Sequence, residues 1–466
     1  MIARWFSAPV MAAGVLMCTA CAVPPAQTVE APPVMPAAWR APGDNTANLA
    51  ERPYGALFRD AQLESLIEEA LRNNRDLRIT AQRVALARAQ FGIQDSARWP
   101  TLAADASGTR QLAPSGLSAT ENQTSTLYRA GLAVPPWEID LWGRLASLSD
   151  AALRNAESTA ELQRFAQVGL ISRVAQGWLS LLEIDQALEI SRQTAQSRVE
   201  SLRIVRLRFD AGVVSMVDVT QAETSLAQAQ AATAQLLLGR GLQENALSVL
   251  AGRSPGPLQP TTPLAQYELP AALPAGIPAT LLTRRPDVRA AELTLAGSQS
   301  SVDAARKAFL PSISLTGFLG FVSPQLSQLT GADRAGYTVT PAITLPLFTG
   351  GLLQSNLQAV EAQQRIAVED YARTTQEALR EVEDALVRFQ RLREQREATQ
   401  RIVAASRERL RLVNLRYVNG ISGYFEVLDA QRQLFDSELQ LTQLTSGTYA
   451  SVIELYRALG GGWQPE

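Results

Sequence analysis

Apolar residues recur three and four positions apart between Leu352 and Asn419: Leu379, Val382, Leu386 and Phe389, then Leu410, Val413 and Tyr417. That alternation is the seam of a coiled coil. The stretch is 68 residues long and holds neither Pro nor Gly. At a rise of about 1.5 Å per residue it predicts a helix roughly 100 Å long. Helices of ordinary globular domains average about 11–12 residues, so this one is not packed inside such a domain. Its flanks carry Arg380, Glu381, Glu383, Asp384, Arg388 and Glu394, which suits a solvated face. Taken alone, the stretch reads as a structural coiled coil.

A second stretch of the same length, Arg144 to Ala211, is also free of Pro. Gly143 and Gly212 bracket it as Gly351 and Gly420 bracket the first. Upstream, Asp76 precedes Pro100 by 24 residues, and Asp287 precedes Pro311 by 24. Downstream, an offset of 208 maps Leu207–Gly212 on Leu415–Gly420, Asp218 on Glu426 and Gly252 on Gly460. One register held over so many landmarks means a tandem structural unit. Each unit reads as helix, two short strands, long helix, Gly turn and a helix of roughly half that length. The first helix runs from about Asp60 to Trp99, and the closing helices over Val214–Ala251 and Ile421–Leu459. A Pro-rich linker joins the units. Paired shorter helices, laid end to end along a long one, predict a tall bundle with an irregular belt where the linkers fall.

The strands alternate with period two. Ile313, Leu315, Leu319 and Phe321 alternate with Ser312, Ser314, Thr316 and Gly320; Val339, Ile343, Leu345 and Leu347 alternate with Thr338, Thr340, Thr344 and Pro346. The first unit repeats this with Leu102, Ala104 and Ala106, then Tyr128, Ala130, Leu132 and Val134. A small sheet with one face on a core is one reading, but the helices use their apolar stripes on each other and leave no core for it. A membrane β-barrel is the other, since its strands need about 9–11 residues, apolar outward and polar inward. Four strands cannot close alone, because barrels begin at about eight, and open edges are not tolerated in lipid. Three copies supply twelve strands. Trp99, Tyr128, Trp137, Phe321, Tyr337 and Phe348 near the strand ends suit interfacial girdles. The loops Ala113–Ser125 and Ser323–Gly336 then face the cell exterior.

Composition narrows the chemistry. The net charge is −2 and 46% of residues are hydrophobic, which points to neither nucleic acid nor disorder. There is no His, and both Cys lie at positions 18 and 21. A His/Cys metal site, a Cys nucleophile and a His base are therefore absent from the rest of the chain, and no catalytic residue, metal or cofactor is expected. Lys307 is the only lysine among many arginines, a matter of composition rather than of a site. No run of 18 apolar residues follows the first two dozen positions, so no membrane-spanning helix is expected in the mature chain. Met1–Arg4 followed by the uncharged Trp5–Ala20 has the layout of a secretory signal. Thr19-Ala20-Cys21 resembles the end of a bacterial lipobox, with Cys18 where that motif has Leu. Acylation of Cys21 would tether the chain to a bilayer; a plain signal peptide, or a disulfide between the two cysteines, is the alternative. Ala22 to Pro53 is rich in Pro and Ala and reads as an extended tether.

Lipobox, tether and two helix–strand–strand–helix units together resemble the outer-membrane efflux channels typified by TolC, in the lipoprotein branch called NodT-like or OprM-like. The more specific motifs are Pro136-Trp137-Glu138-Ile139-Asp140-Leu141-Trp142-Gly143-Arg144, the paired Arg-x-x-x-Gly turns, and Phe425-Glu426-Val427-Leu428-Asp429-Ala430-Gln431-Arg432. The resemblance implies a mainly α fold with a small β part: a trimeric 12-stranded outer-membrane β-barrel continued by a long α-helical coiled-coil barrel. It implies a signal peptide over 1–20, an acylated tether over 21–58, structural repeats over 59–252 and 279–460, a linker over 253–278 in an equatorial belt, and a tail over 461–466. Strands are expected at about 101–112, 126–137, 311–322 and 337–348, and long helices over 144–211 and 352–419.

As partners it implies two further copies of the chain, outer-membrane lipid, a periplasmic adaptor (membrane fusion) protein and an RND-type inner-membrane pump. As activity it implies passive export of drugs or other toxic molecules. Arg208, Gly212, Arg416 and Gly420 match the helix tips that meet the adaptor. Phe425, Asp429 and Arg432 match the closing constriction; their spacing puts them on one helix face, where three copies would form an aromatic ring and an acidic ring that favours cations. Gln221 stands in the first unit where Asp429 stands in the second, and Phe425 stands where the family usually has a smaller aliphatic residue. Type I protein secretion fits the same features, and a secreted coiled-coil structural protein is the reading from another class.

Overall fold

The computed structural model describes residues 35–40, 49, 60–112, 124–267 and 273–461. The expected signal peptide, Cys21, most of the tether, the loop 113–123, positions 268–272 of the linker and positions 462–466 of the tail lie outside the described residues. The element order is α1 (Ala61–Asn73), α2 (Arg75–Ser96), β1 (Ala103–Leu112), β2 (Thr124–Ile139), α3 (Arg144–Asp210), α4 (Met216–Leu250), α5 (Leu281–Arg284), α6 (Pro286–Lys307), β3 (Ser312–Ser323), β4 (Ala335–Thr344), α7 (Leu352–Val418) and α8 (Tyr424–Ala458). Helices α3 and α7 are each 67 residues long, and α4 and α8 are each 35. The described residues form two compact parts, one from those within 83–159 and 290–372, the other from those within 35–82, 160–289 and 373–461.

The first part holds one antiparallel sheet in the order β1-β2-β3-β4. The two repeats join through β2 and β3, with Leu132 opposite Leu319 and Ala130 opposite Phe321. Pairing sorts the side chains by face. Ala104, Ala106, Leu132, Leu319, Val339 and Ile343 share one face; Asp105, Ser107, Arg129, Ser314, Thr316, Thr338 and Thr340 share the other. On the apolar face Tyr337 is 79% exposed and Ile343 72%, so no core covers it among the described residues. A bulge lies between Val134 and Trp137, where Pro135 and Pro136 have no N–H for the ladder.

The fourth strand is shorter than its alternation suggests. Ser312, the first residue of β3, pairs with Thr344, so nothing is left to pair with Leu345 onward, and Pro346 could not donate. Leu347 and Phe348 therefore lie beyond the strand, 74% and 91% exposed.

The motif around Trp142 builds the corner from β2 into α3. The Asp140 carboxylate accepts from the backbone N–H of Leu145 at 3.0 Å and of Ala146 at 2.7 Å, which caps the helix. Arg144 grips Glu138 with two bonds of 3.0 and 2.6 Å, and Trp142 Nε1 donates to the Pro311 carbonyl at 2.6 Å. Lys307 has a structural task that composition did not suggest: its Nζ donates to the Gly143 carbonyl at 3.2 Å and to Ser147 Oγ at 2.8 Å.

In the second part, Leu63, Ile67 and Ala70 of α1 pack on Leu170, Val174, Trp178 and Leu181 of α3, on Leu247 of α4 and on Ile453 of α8. Asp60 organises one end of this core. It caps α1 by accepting from Gln62 and Leu63 N–H groups and also accepts from Trp178 Nε1 at 3.0 Å. The Tyr267 hydroxyl bonds to the same carboxylate, which ties the linker down. The tether is docked where it is described: Trp39 is buried and donates to the Gly276 carbonyl at 2.8 Å, and Leu49 is 2% exposed. The expected extended chain is thus pinned at two points, because Trp39 and Leu49 bury apolar surface that a free tether would leave in water.

The helix expected from about Asp60 to Trp99 is broken at Asn74. Its side chain accepts from Leu77 N–H at 3.0 Å, starting α2, while its Nδ2 donates to the Leu250 carbonyl at 2.9 Å. The second repeat breaks at the matching position, Arg285, ahead of Pro286. Along α7, Val382, Leu386, Phe389 and Tyr417 are buried, and the seam runs on through Val403 and Ser406 at the same three-and-four spacing.

Candidate functional site: hairpin tips and the groove beside Phe425

Both long helices end in the same turn. Gly212 and Gly420 have φ of +71° and +72°, a conformation that costs an L side chain about 1–2 kcal/mol. The residue after each closes back on the helix: Val213 N–H donates to Arg208 O at 2.8 Å, and Ile421 N–H to Arg416 O at 2.9 Å. This is the six-to-one bond of a Schellman end.

Below the turns, Leu202, Val205, Val219, Ala222, Tyr417, Tyr424 and Val427 form a small core. Arg208 lies over the Tyr417 ring, 4.5 Å from its centroid, and donates to the Tyr417 carbonyl at 2.9 Å. The Arg416 side chain is exposed and makes no hydrogen bond or ion pair among the described residues. The two arginines, equivalent in sequence, are not equivalent in place.

Phe425, Asp429 and Arg432 come together on α8, along a groove of about 340 Å³ facing α4. Phe425 is 70% exposed. Asp429 accepts from Arg432 at 3.0 Å and from Arg409 of α7 at 2.8 Å. The hydrogen bond from Arg409, then the charges of Arg409 and Arg432, hold its carboxyl below the usual carboxylate value. Gln221, its counterpart in the first repeat, lines the same groove. The acidic ring expected at Asp429 is therefore countered inside each copy by two guanidinium groups.

Sequence reasoning missed Arg409 and Arg198. Arg409 stands eleven residues before Gly420 and Asp429 nine after it, so the hairpin places them side by side; that symmetry was the available signal. Arg198 had none. It is 6% exposed, lines the groove, and comes from the interior of a charged helix where many arginines look alike. Among the described residues no cluster of three or more His, Cys, Asp or Glu could hold a metal ion. Cys21 lies outside the described residues.

The family model described as outer membrane efflux protein matches residues 66–253 and 277–461, one segment for each repeat. A solvent efflux pump outer membrane protein, SrpC of Pseudomonas putida, is 40% identical over 409 residues, covering 87% of this chain and 86% of that one. Outer membrane protein OprJ of Pseudomonas aeruginosa is 37% identical over 406 residues, 87% and 85% of the two chains. Among solved structures, the open state of the MtrE outer membrane channel of Neisseria gonorrhoeae aligns with a TM-score of 0.84 at 31% identity, covering 94% of this chain and 98% of that one.

Proposed function

Since the chain belongs to the outer membrane efflux protein family, whose members are outer-membrane channels for efflux, we propose that it works as a homotrimeric exit duct fed by an inner-membrane pump of RND type through a periplasmic adaptor. The observation that carries the trimer is the four-stranded sheet. One face is apolar and uncovered, and β1 and β4 each have an unpaired edge among the described residues. Lipid tolerates a closed barrel only, and three copies bring twelve strands. Family membership leaves no room for the secreted coiled-coil reading.

The tips at Arg208/Gly212 and Arg416/Gly420 are the adaptor contacts in this proposal, and Phe425, Asp429 and Arg432 narrow the duct. Acyl chains on Cys21 anchor the N-terminus, each buried CH₂ contributing about 0.8 kcal/mol. The cargo is small toxic molecules, a reading supported by the solvent and antibiotic efflux named in relatives. No chemical step falls to the chain itself.

Purified protein is expected to run as a trimer in detergent and to open discrete conductances in planar bilayers. A monodisperse monomer that conducts nothing would overturn the proposal. Intact mass of the mature chain tests the anchor separately, since a Cys21→Ser form should lose its lipid.

A further inference from the structure

The groove beside Phe425 holds more positive charge than its reading as an acidic constriction allows. Its lining carries two guanidinium groups, Arg198 and Arg432, against one carboxylate, Asp429. That carboxylate is shared between Arg432 at 3.0 Å and Arg409, from outside the groove, at 2.8 Å, so the three guanidinium groups face one negative charge in contact.

Arg198 is the unusual member. It is more than nine-tenths buried, yet no carboxylate lies within ion-pair distance among the described residues. One Nη donates to the Ser225 carbonyl at 2.6 Å, and the Phe435 ring lies 5.8 Å from Cζ. Its Nε has no partner. A buried charge with no carboxylate in contact is costly, and such charges are normally paired. Burial lowers the pKa of this arginine, and the charge of Asp436, acting from beyond ion-pair distance, opposes that only in part.

The rest of the groove suits an amphiphile. Phe425 and Leu428 offer apolar surface, and Gln221 and Gln228 offer further donors. Its volume of about 340 Å³ falls at the small end of ligand sites.

We propose that this groove binds an organic anion, an aromatic body bearing a carboxylate or sulfonate, with the acid group drawn by Arg198 and Arg432 and the ring against Phe425. The inference rests on reading this region as the narrow part of an export duct, and it names the class of molecule held there. Anionic and uncharged cargo would then differ in how long they dwell in the same opening.

Three probes share one ring system and differ in charge: naphthalene-1-sulfonate, 1-naphthalenemethanol and 1-naphthylmethylammonium. Binding to the purified full-length protein in uncharged detergent is measured by titration calorimetry, with single-channel recording on the same preparation. The sulfonate is expected to bind about tenfold tighter than the alcohol or the amine, as charge-assisted hydrogen bonds require. Arg198→Gln and Arg432→Gln should each remove most of that preference. Should Arg198→Gln fail to assemble, the exposed Arg432→Gln and the probe series on the unaltered protein decide alone. Equal affinity for the three probes, or a sulfonate preference untouched by Arg432→Gln, overturns the site. If the protein still conducts, the duct reading survives that failure; absence of conductance strikes the duct reading instead.

Discussion

The two helical hairpins carry the same turn and support it in opposite ways. In the first, Phe209 is 40% exposed, and Arg208 leaves its own helix to cover Tyr417 of the second. In the second, Tyr417 is 7% exposed and packs 5.5 Å from Tyr424, while Arg416 points to solvent. After the turn, Asp218 accepts from both the N–H and the hydroxyl of Ser215, at 3.0 and 3.1 Å. The second hairpin has Gly423 at that place and no side-chain cap. The first hairpin is thus locked locally, and the second is held through its neighbour. Duplication copied the backbone and left the supporting chemistry free to diverge.

The same divergence marks the junctions between short helices. Gly252 and Gly460 both have φ of +76°, and a Cβ on them would lie 2.4 Å from the Asn73 carbonyl and 2.7 Å from that of Arg284. Only glycine fits either approach. Beside them, Asn74 donates to the Leu250 carbonyl in one repeat, and Arg285 donates to the Ala458 carbonyl in the other, at 3.2 Å. Asn74 is neutral. Arg285 is 3% exposed and needs Asp287 at 2.6 Å and Glu381 at 2.7 Å to offset its charge, with Arg457 completing the network at 3.0 Å from Glu381.

Substitutions can break this comparison in order of size. Arg285→Ala removes the partner of Asp287, leaves Glu381 with Arg457 alone, and should cost about 3–5 kcal/mol, against about 1 kcal/mol for Asn74→Ala, the loss of a cap; thermal unfolding of the assembled protein measures both, and equal costs would mean the charged network adds nothing. Tyr417→Ala should cost about 3–5 kcal/mol and Phe209→Ala about 1 or less, read from amide exchange at the tips. Arg208→Ala should loosen the second hairpin by about 1–2 kcal/mol, through the ring contact and the lost hydrogen bond. Arg416→Ala should stay within about 0.5 kcal/mol in stability and instead weaken adaptor pull-down.

Gly423→Ser sharpens the comparison from the other side. It creates Ser-x-x-Glu with Glu426, its φ of −76° suits any residue, and nothing lies within 4 Å of the new Cβ. Slower exchange at the second tip is expected, by about 0.5–1 kcal/mol.

The smallest effect is the titration of Asp429. Its carboxyl is held below the ordinary 3.8. Its link to Arg409 is therefore present at neutral pH and is lost only as pH falls through that lowered value. Arg409→Gln should raise the carboxyl's midpoint, followed by infrared or NMR titration; an unmoved midpoint would remove Arg409 from the site.

Much of the fold was legible because it rests on periodicity. Absence of Pro over 144–211 and of both Pro and Gly over 352–419, and the matched glycines at their ends, fixed the long helices to within a residue or two of the observed Arg144–Asp210 and Leu352–Val418. Alternation placed the strands, but it could not say that β4 stops at Thr344, since that depends on where its partner β3 begins. The break at Asn74 was hidden inside an apolar pattern that continues across it. Of the site, Phe425, Asp429 and Arg432 were readable from their spacing on one helix face, whereas their partners come from other helices.

The sequence by itself determined the duplication, the long helices and the two-faced strands, because these follow from spacing along one chain and the backbone geometry it permits. Tertiary structure alone decided that Arg409 counters Asp429, that Arg208 serves the neighbouring hairpin, and that Arg198 is buried with no carboxylate in contact. Charge at a site is a sum over neighbours distant in sequence, and only the packing of helices against one another sets which neighbours are counted.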